Sequence, residues 1–119
     1  MFTIKVISNF SSAHNLRGYQ GKCEALHGHN WKVELTVSRS ALDKLGMIFD
    51  FKTLKAMLND VLEKLDHRYL NSTPYFKKFN PTSEHIARYI YRCLKPALKK
   101  CLVSVTVWEN DSSCATYCE

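Results

Sequence analysis

Residues 27–38 alternate without a break: His27, His29, Trp31, Val33, Leu35 and Val37 share one phase, and Asn30, Lys32, Glu34, Thr36 and Ser38 the other. A period of two held over that length predicts a β-strand with one buried face. Residues 2–14 repeat the pattern, with Phe2, Ile4, Val6, Phe10 and His14 set against Thr3, Lys5, Asn9 and Ser11. A glycine-bearing loop, residues 15–26, joins the two segments, so an antiparallel pair is expected to anchor the fold.

From Asp50 the period becomes helical, with Phe51, Leu54, Met57 or Leu58, Val61 or Leu62 and Leu65 forming an apolar stripe. Asp50 is the expected N-cap. Asn80-Pro81 predicts the opening of a second helix carrying Ile86, Ile90, Leu94 and Ala97 or Leu98, with Pro96 kinking or fraying its last turns. Alternation returns over 101–109, where Val103, Val105, Val107 and Glu109 are in phase, and Asn110-Asp111 predicts a turn into a last strand over 112–118. The order β-β-α-α-β-β predicts a single α+β domain over residues 1–119, with an antiparallel four-stranded sheet covered on one face by two helices. The open edges of such a sheet favour self-association.

Composition narrows the function classes. With 45% of its 119 residues hydrophobic and 24% charged, the chain is neither disordered nor of low complexity. It contains nothing like the roughly 20 consecutive apolar residues of a membrane span, and its start lacks the features of a secretory signal. A cytoplasmic protein is therefore expected, away from membranes. The five cysteines (Cys23, Cys93, Cys101, Cys114 and Cys118) show no paired framework and read as thiols. Seventeen Lys and Arg against eleven Asp and Glu give a net charge of +6, which favours an anionic partner. The basic residues are scattered, so a small polyanion fits better than nucleic acid.

His27-Gly28-His29 places two imidazoles on one side of a strand, and antiparallel pairing brings His14 beside them. Three neutral imidazoles suit Zn²⁺, and three protein ligands with an open fourth position form a catalytic arrangement. The competing account is a core histidine beside two unrelated interfacial ones. Gly28 would allow close backbone approach from the opposite side.

Cys23 lies in the loop near these histidines, where a thiol can ionise to act as base or nucleophile, or can simply pack as a small apolar residue. Cys93 falls in the helical stripe and is expected to pack, while Cys101, Cys114 and Cys118 form only a weak metal-ligand pattern. Asp66-His67 closes the first helix, and a direct pair between them requires the backbone to leave the helix there. His67 would then be a general acid or base oriented by Asp66, or a histidine stabilised by the helix dipole. Glu109 would aim a carboxylate at the end of an apolar face, where a planar N–H/NH₂ edge satisfies both oxygens, or would stand exposed at a strand end.

Taken in order, Phe10-Ser11-Ser12-Ala13-His14, Cys23-x-x-x-His27-Gly28-His29, Phe49-Asp50-Phe51, Leu65-Asp66-His67-Arg68-Tyr69-Leu70-Asn71, Pro81-Thr82-Ser83-Glu84 and Val107-Trp108-Glu109 resemble the 6-pyruvoyltetrahydropterin synthase family across nearly the whole chain. The three residues between Cys23 and His27 resemble the 6-carboxytetrahydropterin synthase branch, which serves queuosine and other 7-deazaguanines. The resemblance implies a tunnelling fold, in which trimers close their sheets into a barrel and two trimers stack as a hexamer.

It also implies Zn²⁺ on His14, His27 and His29, a catalytic thiol at Cys23, an Asp66–His67 pair that would serve a neighbouring subunit, and a pterin-anchoring carboxylate at Glu109. Thr82, Ser83 and Glu84 match a substrate-binding motif, although a helix N-terminus accounts for them equally well. His85 stands where many relatives carry Asn. The implied substrate is 7,8-dihydroneopterin triphosphate, and the implied products of the carboxy branch are 6-carboxy-5,6,7,8-tetrahydropterin, acetaldehyde and triphosphate. Two alternatives remain open at this point: a 6-pyruvoyltetrahydropterin synthase that stops after triphosphate elimination, and a small zinc-binding module for nucleic acid.

Overall fold

The computed structural model describes residues 1–22 and 24–119, which leaves the expected thiol, Cys23, outside the described residues. Strand β1 (Phe2–His14) pairs antiparallel with β2 (His27–Arg39) along their entire length. Helix α1 (Phe51–Leu62) follows, then a two-residue strand β3 (Arg68–Tyr69), the short helix α2 (Pro74–Lys78), helix α3 (Ser83–Leu98), and the hairpin β4 (Leu102–Asn110) and β5 (Ser113–Tyr117). The sheet order is β3-β1-β2-β4-β5.

The expected antiparallel four-stranded sheet is β1-β2-β4-β5, with α1 packed on β1 and α3 on β4 and β5. Two small elements were not anticipated. Strand β3 adds two residues parallel to the outer edge of β1, and α2 fills the connection to α3. Both are too short to produce a periodic signal.

The strand phases hold except near two strand ends: Phe2 is exposed, and so is Val103, because a register shift pairs Val37 with Leu102; Phe51, expected in the helical stripe, is exposed as well. Val6, Phe10 and His14 of β1 and Trp31, Val33, Leu35 and Val37 of β2 are buried on the helix side, joined by Val105 and Val107 of β4. The register sets Phe10 opposite Trp31 and His14 opposite His27, and the Phe10 and Trp31 rings stack with centroids 5.9 Å apart. Asp50 caps α1 by accepting from the Lys52 N–H at 2.7 Å. Leu54, Leu58, Val61 and Leu62 supply that helix's buried stripe.

Three local expectations need correction. Helix α3 starts at Ser83 with Thr82 as its cap, accepting from the His85 N–H, instead of at Asn80-Pro81. Cys93 is exposed, because the buried face of α3 is carried by Ile86, Ile90, Leu94 and Leu98. A Cβ at Gly28 would meet only the Ser12 carbonyl oxygen at 3.8 Å, an ordinary contact, so no close approach requires glycine there. Pro96 sits inside α3, which ends two residues later with Lys99 in the left-handed region at φ 51°. No helix among the described residues is long and apolar enough to cross a membrane.

Candidate active site

His14 ends β1 and His27 begins β2, directly opposite in the register, and His29 follows one pleat further on, opposite Ser12. The rings pack edge to face, with centroids 4.6 Å apart for His14–His27, 5.1 Å for His14–His29 and 4.8 Å for His27–His29. Trp31 forms the floor, 4.9 Å from the His14 ring and 5.2 Å from the His29 ring, and its indole N–H donates to the Ser12 carbonyl. That aromatic wall limits rotation of two of the three imidazoles.

The outer ring nitrogens are already engaged. His14 Nδ1–H donates to the Pro81 carbonyl at 2.8 Å, and His27 Nδ1–H donates to the Ala25 carbonyl at 2.8 Å. In the neutral rings these bonds put the proton on Nδ1 and leave both Nε2 atoms as lone pairs. The two Nε2 atoms lie 3.0 Å apart, and His29 Nε2 is buried without any hydrogen-bond partner. Burial holds the His14 imidazole below its ordinary value, with the neighbouring His27 and His29 acting in the same direction, so protonation is not the expected remedy for the crowding.

Glu109 completes the cluster. Its Oε1 is 3.4 Å from His14 Nε2 and 3.3 Å from His29 Nε2, and the four residues each offer a ligand atom within 4.8 Å of the others. Trp108 pairs with Cys114 and Asn110 with Ser113, so Glu109 is the extra residue of a bulge in the β4–β5 ladder. Bulges re-aim side chains. The Nε2 atoms of His14 and His27, the unpartnered Nε2 of His29 and the Glu109 carboxylate converge as a nitrogen and oxygen donor set that fits a divalent cation, and Zn²⁺ meets that description.

A cleft of about 330 Å³ opens beside this cluster, lined by His14 and Glu109 together with Thr82, Ser83, Glu84 and Cys114. Five expected site residues (His14, Thr82, Ser83, Glu84 and Glu109) thus line one cavity, and His27 and His29 join it through the imidazole cluster, His29 also lining the cleft that holds His67. His85 turns away, its Nδ1 bonded to the Asn80 carbonyl and its ring 5.2 Å from Phe79.

Asp66 and His67 form a pair, but elsewhere. Asp66-His67 does not close the first helix as expected: α1 ends at Leu62, a turn follows, and at His67, φ 53°, Nδ1 lies 2.9 Å from Asp66 Oδ2. Asp66 Oδ1 accepts the Ser11 N–H at 2.8 Å, and this bond, followed by the His67 side chain, holds the carboxyl below its ordinary value. His67 is exposed in a separate cleft of about 490 Å³ with Ser11, Ala13, Gly28 and Asn30, residues that by alternation belong to the face opposite the core.

Several residues that build the site had no such role in the sequence reading. Asn71 binds the backbone N–H and carbonyl of Asn15, and Asn80 does the same for Arg17. The Arg17 guanidinium donates to the Phe76 carbonyl. Together they fasten the chain immediately after His14 to the segment that delivers the Pro81 carbonyl.

This geometry coincides with a match of the 6-pyruvoyl tetrahydropterin synthase family model to residues 3–119. The chain belongs to that family. It is 32% identical to the 6-carboxy-5,6,7,8-tetrahydropterin synthase of Haemophilus influenzae, with all of both chains aligned, and 39% identical to the Synechocystis enzyme of the same name over 92% of this chain and 87% of the relative. It is also 32% identical to the 6-pyruvoyl tetrahydrobiopterin synthase of Dictyostelium discoideum, over 91% of this chain and 89% of that one. The solved 6-pyruvoyl tetrahydropterin synthase of Caenorhabditis elegans superposes with a TM-score of 0.85 at 28% identity, covering 99% of this chain and 95% of that one. The tunnelling fold of the family is therefore the fold of this chain.

Proposed function

We propose that the chain is a zinc-dependent lyase that converts 7,8-dihydroneopterin triphosphate and water to 6-carboxy-5,6,7,8-tetrahydropterin, acetaldehyde and triphosphate, in queuosine or other 7-deazaguanine biosynthesis. The observation that carries the proposal is the convergence of His14, His27, His29 and Glu109 beside a cleft that His14 and Glu109 line. The relatives named 6-carboxy-5,6,7,8-tetrahydropterin synthase support the choice of branch.

His14, His27 and His29 would hold the zinc ion, whose positive charge stabilises the negative charge that develops on side-chain oxygens when a neighbouring C–H proton is removed. Glu109 would grip the 2-amino-pyrimidinone edge through two parallel hydrogen bonds, fixing the pterin so that its side chain lies toward the three imidazoles. Thr82, Ser83 and Glu84 line the same cleft and would bound the ring. Proton removal falls to Cys23 by resemblance. His67, oriented through Asp66, would relay or return protons. It faces a different cleft of its own chain, and a site assembled between subunits, as in a hexamer of two stacked trimers, would bring it to a neighbour's cleft. The location would be the cytoplasm, with no nucleic acid or membrane as partner.

A second reading, 6-pyruvoyltetrahydropterin synthase activity, is favoured by the relatives of that name and uses the same residues. Incubating the zinc-loaded protein with 7,8-dihydroneopterin triphosphate and identifying the products by mass spectrometry separates the two. Carboxytetrahydropterin with acetaldehyde supports the proposal, and pyruvoyltetrahydropterin without acetaldehyde supports the second reading. Bound zinc with no turnover of either kind overturns both.

A further inference from the structure

Glu109 stands in two places at once for a residue whose task is to hold a pterin. A carboxylate reserved for a ligand's N–H/NH₂ edge would be expected to point away from the imidazoles, yet Oε1 lies 3.4 Å from His14 Nε2 and 3.3 Å from His29 Nε2. The hydrogen-bond pattern leaves no donor between Glu109 and His14: the His14 proton is on Nδ1, given to the Pro81 carbonyl, so Nε2 and Oε1 face each other as two acceptors. His29 Nε2, also facing Oε1, is buried without a hydrogen-bond partner. Acceptors crowd in this way when a cation lies between them.

The spacing is informative. A tetrahedral centre with bonds of roughly 2.0–2.1 Å sets its ligand atoms about 3.3–3.4 Å apart. Both Glu109 distances match that edge, and His14 Nε2 to His27 Nε2, at 3.0 Å, is close to it. The bulge at Glu109 supplies the extra residue that carries its carboxylate to the position opposite the three imidazoles.

We infer that Glu109 is the fourth ligand of the metal in the free protein, and that gripping a pterin edge takes it off the metal. The inference rests on the proposed function for the second half only. Each carboxylate oxygen has a second lone pair, but a bidentate grip holds the whole carboxylate in the plane of the ring edge, an orientation that turns Oε1 from the imidazole nitrogens it now faces at 3.3–3.4 Å. Arrival of the correct ring would thereby open a coordination position for the side chain of that same molecule. A compound without the 2-amino-pyrimidinone edge would find the metal closed.

The test uses the full-length protein loaded with Co²⁺, whose visible spectrum reports ligand number and type, and with Zn²⁺ for affinity by chelator competition. With metal alone, Glu109→Gln is expected to weaken Zn²⁺ binding on the order of 10–100-fold, in line with the loss of a partner at a metal site, and to change the Co²⁺ spectrum. Circular dichroism shows whether the variant is folded, and Glu109→Asp, which keeps the charge but shortens the reach, should give an intermediate affinity. Unsubstituted pterin, which has no side-chain oxygens, should shift the Co²⁺ spectrum of the wild-type protein toward that of Glu109→Gln and leave the variant's spectrum unchanged. Unaltered Zn²⁺ affinity and an unaltered spectrum in folded Glu109→Gln overturn the ligand assignment. A wild-type spectrum that stays constant while pterin fluorescence shows binding overturns the exchange. The proposed function fails separately, if His29→Ala retains the metal or if pterin does not bind.

Discussion

His14 is 1% exposed, with one ring nitrogen bonded to a backbone carbonyl and its ring enclosed by two imidazoles and an indole. His67 has a side chain that is 83% exposed, on a residue of left-handed backbone, with a single carboxylate partner. Ligand positions on paired strands inherit the precision of the ladder, and a charge center gathered there tolerates little movement. The relay proposed for His67 would need access to solvent and to a partner arriving from outside, and an edge segment held to the Ser11 backbone by the Asp66 carboxylate and the His67 N–H would provide it.

The sharpest way to break this contrast is His14→Ala. It should abolish metal binding and reduce turnover to background, and cost ~2–4 kcal/mol of stability from the lost packing and hydrogen bond. Chemical denaturation and metal analysis measure both, and a variant that keeps its zinc would place the centre elsewhere. Asp66→Asn should retain zinc in full and lower kcat by about 10²-fold, the lower range for loss of general acid–base assistance. Equal losses of zinc in the two variants would erase the distinction between the regions.

The two regions should also respond differently to acid. Because burial depresses the His14 value in the fold, the unfolded chain binds the proton more readily, so metal-free protein should lose stability as pH falls through 6.5 toward the lower folded value. The Asp66 carboxyl is likewise depressed, so its contribution is present above 3.8 and fades as pH falls through the folded value. Thermal unfolding of the wild-type and Asp66→Asn proteins should therefore converge only at the acid end, below about pH 4, whereas His14→Phe, which cannot charge, should flatten the loss near neutrality. The smallest effect expected is that of Thr82→Ala, about 1 kcal/mol for a lost helix cap, with zinc affinity unchanged.

Much of this was legible in the residues because alternation fixes faces. Once residues 2–14 and 27–38 are read as paired strands, His14, His27 and His29 fall on one side, and the in-phase Glu109 at the end of β4 follows. That a direct Asp66–His67 pair needs non-helical backbone was also foreseeable, since adjacent residues on a helix cannot face each other, although the apolar Leu65 hid the helix end at Leu62. The bulge was not, because a single extra residue leaves no periodic trace. Nor was the start of α3, where Asn80-Pro81 imitates a helix opening but is used to deliver a carbonyl to His14 and an amide to Arg17. Cys93 was misplaced because its spacing from Ile90 suits the buried stripe, which is narrower than the spacing alone allows.

The asparagines that clasp the chain after His14 have a further consequence. Asn71 and Asn80 each satisfy both the N–H and the carbonyl of one residue, Asn15 and Arg17, as a neighbouring strand would. The turn from Gly18 to Gly21 lies beyond that double clasp, and Leu16 and Glu24 add two bonds of their own across it, the Glu24 N–H to the Leu16 carbonyl and the Leu16 N–H to the Glu24 carboxylate. Lengthening a tethered loop costs little, about 0.6 kcal/mol for each doubling. Residues can therefore be added at that turn while the imidazoles at the ends of the two strands keep their positions.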